Sequence, residues 1–150
     1  MRLTDYTDYA IRVLMHLGSH PGKTITIGQI AVVHGISHNH LSKIVTHLGT
    51  VGILRTLRGR TGGIQLAQAP ETIMLGAVVR VTEPNFQDVP CLFERDKSCV
   101  RSGRCGLKGL LSEALGAYLA LLDLVPLSAL LAPCASPTLA TNARPGLPAA

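Results

Sequence analysis

Residues 25–48, ITIGQIAVVHGISHNHLSKIVTHL, carry two helix starts and one helix stop in close succession. Thr26 and Gln29 have the spacing of a capping box, in which each side chain satisfies the other residue's backbone N–H. Ile25 and Ile30 flank it as a hydrophobic staple. The helix they open runs through Ala31 and Val33 and stops at Gly35. A second helix starts at once, with Ser37 as its N-cap and Ile36 and Leu41 as a second staple. Leu41, Ile44, Val45 and Leu48 form its apolar stripe. A small residue where two helices cross, a glycine in the turn and buried aliphatics beyond it make a helix-turn-helix. Ser37, His38, Asn39, His40 and Lys43 are left as polar residues without negative charge on the second helix's first turns. An ordinary helical hairpin would not need that composition.

Residues 53–66, ILRTLRGRTGGIQL, alternate apolar and polar positions on either side of a glycine-rich turn. They predict a two-stranded hairpin, and the glycines permit positive φ at its tip. Arg58 and Arg60 at that tip suit contact with phosphate or the minor groove. Alone, this would be a surface hairpin. Behind a helix-turn-helix it makes a winged helix. Charge agrees: no acidic residue lies between Asp8 and Glu71, whereas Arg12, Lys23, Lys43, Arg55, Arg58, Arg60 and all six histidines fall within that span. The whole chain carries +5 with a pI near 9.3. A one-signed field of this kind is the footprint of nucleic-acid binding, whereas a merely solubilising surface mixes both signs.

Around this head, residues 4–18 predict a first helix, with Ala10, Ile11, Leu14 and Leu17 inward and Thr4 and Asp5 at its start. Asp8, one turn before Arg12, has the spacing of a surface ion pair. Pro70 to Val81 predicts another helix, with Ile73, Met74, Ala77, Val78 and Val81 inward and Glu83-Pro84 ending it. Leu107 to Leu122 is the longest amphipathic run. Its stripe is wide enough to leave apolar surface exposed in a monomer, so it predicts pairing with a second copy as a homodimer. Pro126 to Leu131 adds a short helical turn, and the Pro-, Ala- and Thr-rich end is expected to be disordered. The expected fold class is mainly α with a small β wing: a winged helix-turn-helix plus a long dimerisation helix. The expected divisions are a DNA-binding domain at 1–83, a loop at 84–106, the dimerisation helix at 107–131 and a tail at 132–150. With neither a signal-peptide pattern nor a membrane-length apolar run, a cytoplasmic location is expected, with no membrane partner.

Three of the four cysteines, Cys91, Cys99 and Cys105, fall in the loop among Arg95, Lys97, Arg101 and Arg104. A long loop inside a compact domain is usually functional or disordered, and thiols clustered in a reducing compartment more often bind metal or sense redox than form disulfides. Three is the wrong number for paired disulfides. The close Cys pairs of structural zinc sites are absent. Three thiolates among basic residues suit an iron–sulfur cluster. By spacing alone a cluster is favoured modestly over zinc, and both over a thiol–disulfide switch. A cysteine-dependent enzyme is disfavoured, because cysteines and histidines occupy separate halves of the chain. Cys134, at the edge of the tail, reads as a reduced bystander.

Taken together, MRLTDYTDYAIRVL at the N-terminus, SHNHLSKI in the second helix of the motif, RGRTGGIQLA in the wing and the three-cysteine loop closely resemble the NsrR-type nitric-oxide-sensing repressors, over roughly residues 1–131. The resemblance implies a winged-helix dimer that binds an inverted-repeat DNA operator and is released from it when nitric oxide nitrosylates or removes an iron–sulfur cluster. It implies a four-iron (4Fe-4S) cluster, with a two-iron (2Fe-2S) form as the alternative. By position Cys91, Cys99 and Cys105 take the ligand role. The five-residue second spacing fits the family; the seven-residue first spacing is longer. The resemblance also allows a carboxylate from the first helix of the other subunit as fourth ligand, which Asp8 matches and Asp5 could replace. The related IscR-like branch, a regulator of cluster or redox status, has a histidine soon after the third cysteine. Here Gly106-Leu107-Lys108 follows, and no histidine occurs beyond His47.

Overall fold

The computed structural model describes residues 3–59, 62–83 and 106–131. The chain runs α1 (Asp5–Gly18), α2 (Ile27–His34), α3 (His38–Thr50), β1 (Leu54–Leu57), β2 (Gly63–Leu66), α4 (Leu75–Thr82) and α5 (Gly106–Leu122), then a 3₁₀ turn at Leu127–Leu130. The fold class is the expected one. The tail, the cysteine loop and the wing-tip residues Arg60 and Thr61 lie outside the described residues.

Helix α1 is the hub. It packs against α2, α3, α4, β2 and the 3₁₀ turn, because Ala10, Val13, Leu14 and Leu17 return to one face every turn and are buried. They meet Ile30 of α2, Leu41, Ile44 and Leu48 of α3, Ile64 of β2 and Leu127 in a single core. With 3% aromatic content, branched aliphatics fill it. They hold few rotamers, which suits a small head that must present a fixed surface.

Local chemistry sets the ends of the elements. Thr4 caps α1, its hydroxyl oxygen accepting from the Thr7 N–H at 3.4 Å. The capping box of α2 is complete: Thr26 Oγ1 accepts from the Gln29 N–H at 3.3 Å, and the Thr26 N–H donates to Gln29 Oε1 at 2.8 Å. Gly35 ends α2 at φ 64°, in the left-handed region that favours glycine. Ser37 differs from expectation. It occupies the N-cap position of α3, but its side chain makes no capping hydrogen bond. Burial of Ile36 and Leu41 on either side anchors this helix start instead.

The wing pairs Leu54 with Leu66 through to Leu57 with Gly63 in antiparallel register. Strand β2 is also bound on its other edge, where Ile25 and Ile64 exchange backbone hydrogen bonds of 3.2 and 2.8 Å. This ties the wing's root to the residue that opens α2. Gly63 is obligatory there, since a Cβ would lie 2.6 Å from the Ile25 carbonyl oxygen.

Helix α4 begins at Leu75 rather than near Pro70. The preceding backbone is committed elsewhere: the Leu75 N–H donates to the Val125 carbonyl at 2.9 Å, and the Leu127 N–H to the Ile73 carbonyl at 2.8 Å. An extended bridge between Met74 and Pro126 sits between these bonds, so Met74 stays extended, at φ −82° and ψ 136°, and the helix opens only at Leu75. Ala77, expected inward, is exposed, and Val79 and Thr82 take the buried positions. Helix α5 crosses α4, and its end is latched by Arg80, whose Nη2 donates to Asp123 Oδ2 at 2.6 Å. That hydrogen bond holds the Asp123 carboxyl below the usual carboxylate range. Gly76 makes room for the latch, because a Cβ there would collide with the Asp123 carboxylate.

Candidate functional site

The first turns of α3 bury Leu41, Ile44 and Val45 against the core, and the remaining side chains of those turns must face outward. Ser37, His38, Asn39, His40 and Lys43 are all exposed. His38 Nδ1 lies 3.3 Å from Ser42 Oγ, one turn on. The His40 ring lies beside Tyr9 of α1, with centroids 6.4 Å apart and planes at 28°. Tyr6 OH sits 3.0 Å from His47 Nδ1. Two aromatic side chains of α1 thus brace the two ends of α3. Asn39 and Lys43 stand one turn apart on the same exposed face. Thr46, exposed three residues beyond Lys43, extends that face and was missed in the sequence. Carrying the period on from Asn39 and Lys43 would have found it.

Arg58 is exposed at the end of the wing. Next to it Gly59 adopts φ 116°, and the Gly62 N–H closes the turn on the Gly59 carbonyl at 2.9 Å. Arg60 lies outside the described residues. Arg55, on β1, donates to Gln65 Oε1 at 3.0 Å across the wing.

Of the four candidate cluster ligands, Cys91, Cys99 and Cys105 lie outside the described residues, and Asp8 lies within them. Asp8 Oδ2 accepts from Arg12 Nε at 2.9 Å, with both side chains about half exposed. The spacing rule for a surface ion pair is thus realised in the single chain. Pairs of this kind hold their partners weakly, so the carboxylate is accessible to another electrophile. Thiolates are the usual ligands of iron–sulfur clusters, and a carboxylate is a harder donor that a metal holds less firmly than thiolate. Among the described residues there is no group of three or more His, Cys, Asp or Glu side chains that could hold a metal.

The first turn of α1 also contains a buried network that the sequence did not disclose. Glu83, 3% exposed, accepts on Oε1 from the Thr4 N–H at 2.6 Å and from the Thr4 hydroxyl at 2.9 Å. Thr7 Oγ1 donates to Thr82 Oγ1 at 2.9 Å, and Thr82 in turn donates to the Val78 carbonyl at 2.9 Å. At the other end of α1, His16 Nδ1 and His34 Nε2 approach to 3.3 Å, with the His20 ring 4.8 Å from that of His16. Burial, then the neighbouring His20 and His34, push the His16 pKa down from its ordinary value.

Comparison with known proteins bears on the whole of this arrangement. A family model described as "Rrf2: Iron-dependent Transcriptional regulator" matches residues 3–133. A protein of Bacillus subtilis named HTH-type transcriptional regulator NsrR is 51% identical over 82% of this chain and 85% of its own length. A protein of the same name from Halalkalibacterium halodurans is 46% identical over 87% of this chain and 90% of its own. Among solved structures, Staphylococcus aureus CymR superposes with a TM-score of 0.70 at 23% identity, covering 87% of this chain and 98% of that one. T. potens IscR superposes with a TM-score of 0.71 at 21% identity, covering 87% and 86%. These two share the fold. The relatives named NsrR are transcriptional regulators rather than enzymes, and the chain belongs to the Rrf2 family of transcriptional regulators as an NsrR-type member.

Proposed function

We propose that this regulator is a cytoplasmic homodimeric repressor, binding an inverted-repeat DNA operator through α3 and the wing and releasing it in response to nitric oxide. The observation that carries the DNA reading is the exposed, acid-free face of α3, with Asn39, Lys43 and Thr46 in line on a helix whose other side is locked into the core. Asn39 has the donor and acceptor that pair with adenine in the major groove, a contact worth about 1–3 kcal/mol of discrimination. Ser37, His38, His40 and Lys43 supply phosphate and further base contacts around it. Arg58 and Arg60 take the backbone or minor groove beside the reading helix. The half-sites are read together because the exposed leucines of α5 pair with those of a second copy: Leu107, Leu110 and Leu121 are each more than half exposed in the single chain. The division into a head at 1–83, a loop at 84–106, a dimer helix at 107–131 and a tail at 132–150 is part of the same proposal.

Cys91, Cys99, Cys105 and Asp8 are the residues that would hold an iron–sulfur cluster, the carboxylate coming from the other subunit. When bound, such a cluster, of the 4Fe-4S kind on this reading with 2Fe-2S as the alternative, supplies an iron whose oxygen ligand exchanges more readily than thiolate, as a receptor for a diatomic gas requires. Asp8 has two partners to choose between, Arg12 in its own helix and the site carried by the partner's loop. A contact made in one state only is what lets a signal shift an equilibrium. Helix α1 braces α3 through Tyr6 and Tyr9, so a change at Asp8 lies one turn or less from the side chains that set the reading helix.

The test is the iron, sulfide and zinc content of protein purified without oxygen. The proposal expects brown protein with iron and acid-labile sulfide in equal amounts. A colourless protein holding zinc in their place would contradict it, and would favour the zinc or thiol switch.

A further inference from the structure

Asn39, Lys43 and His47 recur every fourth residue of α3, so they form one row on adjacent turns. His47, partly buried, stands at the α1 flank of the exposed face. Around it the last two turns of α3 hold few free donors. The Thr46 hydroxyl donates to the Ser42 carbonyl at 2.8 Å, and the Thr50 hydroxyl to the Thr46 carbonyl at 3.0 Å. Ile44, Val45 and Leu48 are buried, and Gly49 has no side chain. Among the side chains of residues 44–50, His47 is the one with an uncommitted proton.

Helix α1 decides which ring nitrogen carries that proton. Tyr6 OH lies 3.0 Å from His47 Nδ1, with ring centroids 6.1 Å apart and planes tilted by 40°. A phenol is a far stronger acid than the N–H of neutral imidazole, and an imidazole nitrogen is a far stronger base than a phenol oxygen. The phenol therefore donates and Nδ1 accepts. Burial raises the Tyr6 pKa above its ordinary value, which keeps the donated proton on the phenol. The neutral His47 ring is left with its own proton on Nε2, on the opposite side of the ring from Nδ1. The contact between Tyr9 and His40 differs in kind: a ring against a ring at 6.4 Å sets a plane but selects no tautomer.

We propose that His47 is a further DNA contact, donating from Nε2 to a phosphate oxygen, and that Tyr6 is the positioning residue that holds it in that tautomer. The inference rests on the reading above in which α3 lies against DNA. A single donor at the flank of the face suits a phosphate rather than a base edge, where two-point contacts discriminate. Such a contact has its own signature. It carries no sequence information, so its loss weakens binding to every duplex alike. A neutral donor also displaces no counterion, so its loss leaves the salt slope unchanged. Asn39 lacks the first property and Arg58 the second.

The test uses the full chain purified without oxygen, an inverted-repeat duplex selected from a random pool and a scrambled duplex of the same length. Binding is followed by anisotropy over a salt series for Tyr6→Phe, His47→Ala and the double variant. His47→Ala is expected to weaken binding to both duplexes about ten-fold and Tyr6→Phe about three-fold, with unchanged salt slopes. In the double variant the Tyr6→Phe step is expected to add nothing, because its effect passes through His47. Nitrogen-15 spectra of the imidazole groups are expected to show His47 protonated on Nε2 in the wild type and a mixture of tautomers in Tyr6→Phe. A His47→Ala protein that binds both duplexes like the wild type overturns the contact. A wild-type ring protonated on Nδ1, or a Tyr6→Phe effect that persists without His47, overturns the positioning by Tyr6. If Asn39→Ala and Arg58→Ala are silent as well, the DNA reading of α3 falls, and this inference with it. Should His47→Ala not fold, His47→Phe keeps a ring without a donor, and the same readouts decide.

Discussion

On the proposed reading Asn39 and Arg58 make different demands on DNA, and substitution separates them. Asn39→Ala is expected to relax base preference at one pair per half-site, costing about 1–3 kcal/mol on the preferred sequence and little elsewhere. Arg58→Ala is expected to weaken binding to all sequences and to lower the salt slope by about one. Fluorescence anisotropy over a salt series distinguishes the two, and a uniform effect for Asn39 would remove it from the reading face. Asp8→Ala is expected to leave stability almost unchanged, since a half-exposed pair contributes little, while altering the circular dichroism of the cluster-loaded protein. At this scale the sequence was legible wherever a side chain's role follows from its own neighbours, as with the polar face of α3 or the Asp8–Arg12 spacing. It was silent on Glu83 and on the His16–His34 contact, because each joins residues that only the tertiary fold brings together.

That histidine contact belongs to the packing of α1 on α2 and makes a pH prediction at the scale of elements. His16 has a folded pKa below its ordinary 6.5, so the fold prefers the neutral ring. Its contribution to stability is then present above about pH 6.5 and is lost as the pH falls through that value toward the lower folded one. Thermal unfolding is expected at a lower temperature near pH 5.5 than near pH 7.5, and the difference should shrink in His34→Gln. A pH-independent midpoint would contradict this. Thr26→Ala removes the capping box and is expected to cost about 0.5–2 kcal/mol in urea unfolding. That cap, the Gly35 stop and the wing were readable because their signals are local. The start of α4 was not: Pro70 and the apolar spacing after it favour helix, but residues 73–75 spend their backbone groups on residues 125–127, fifty positions away. Ser37 errs in the opposite sense, with the right residue at the right position and no bond made.

For the whole molecule, the proposed function requires two surfaces to cooperate: the apolar side of α5 and the reading head. Leu110 is 64% exposed in the single chain, and Leu110→Glu is expected to yield a monomer by sedimentation with the head still folded, and to lose operator binding because a lone head cannot span two half-sites. The winged head and the wide stripe of α5 were visible from periodicity and charge. The cysteine spacing itself carries no register from which a placement could be read. On the proposed function, nitric oxide controls DNA binding. It is tested most directly by titrating nitric oxide into the complex of anaerobically purified protein with an inverted-repeat duplex selected from a random pool, following anisotropy. Release of the DNA in step with the loss of the visible absorbance is expected. A complex that persists after that absorbance has gone would contradict it.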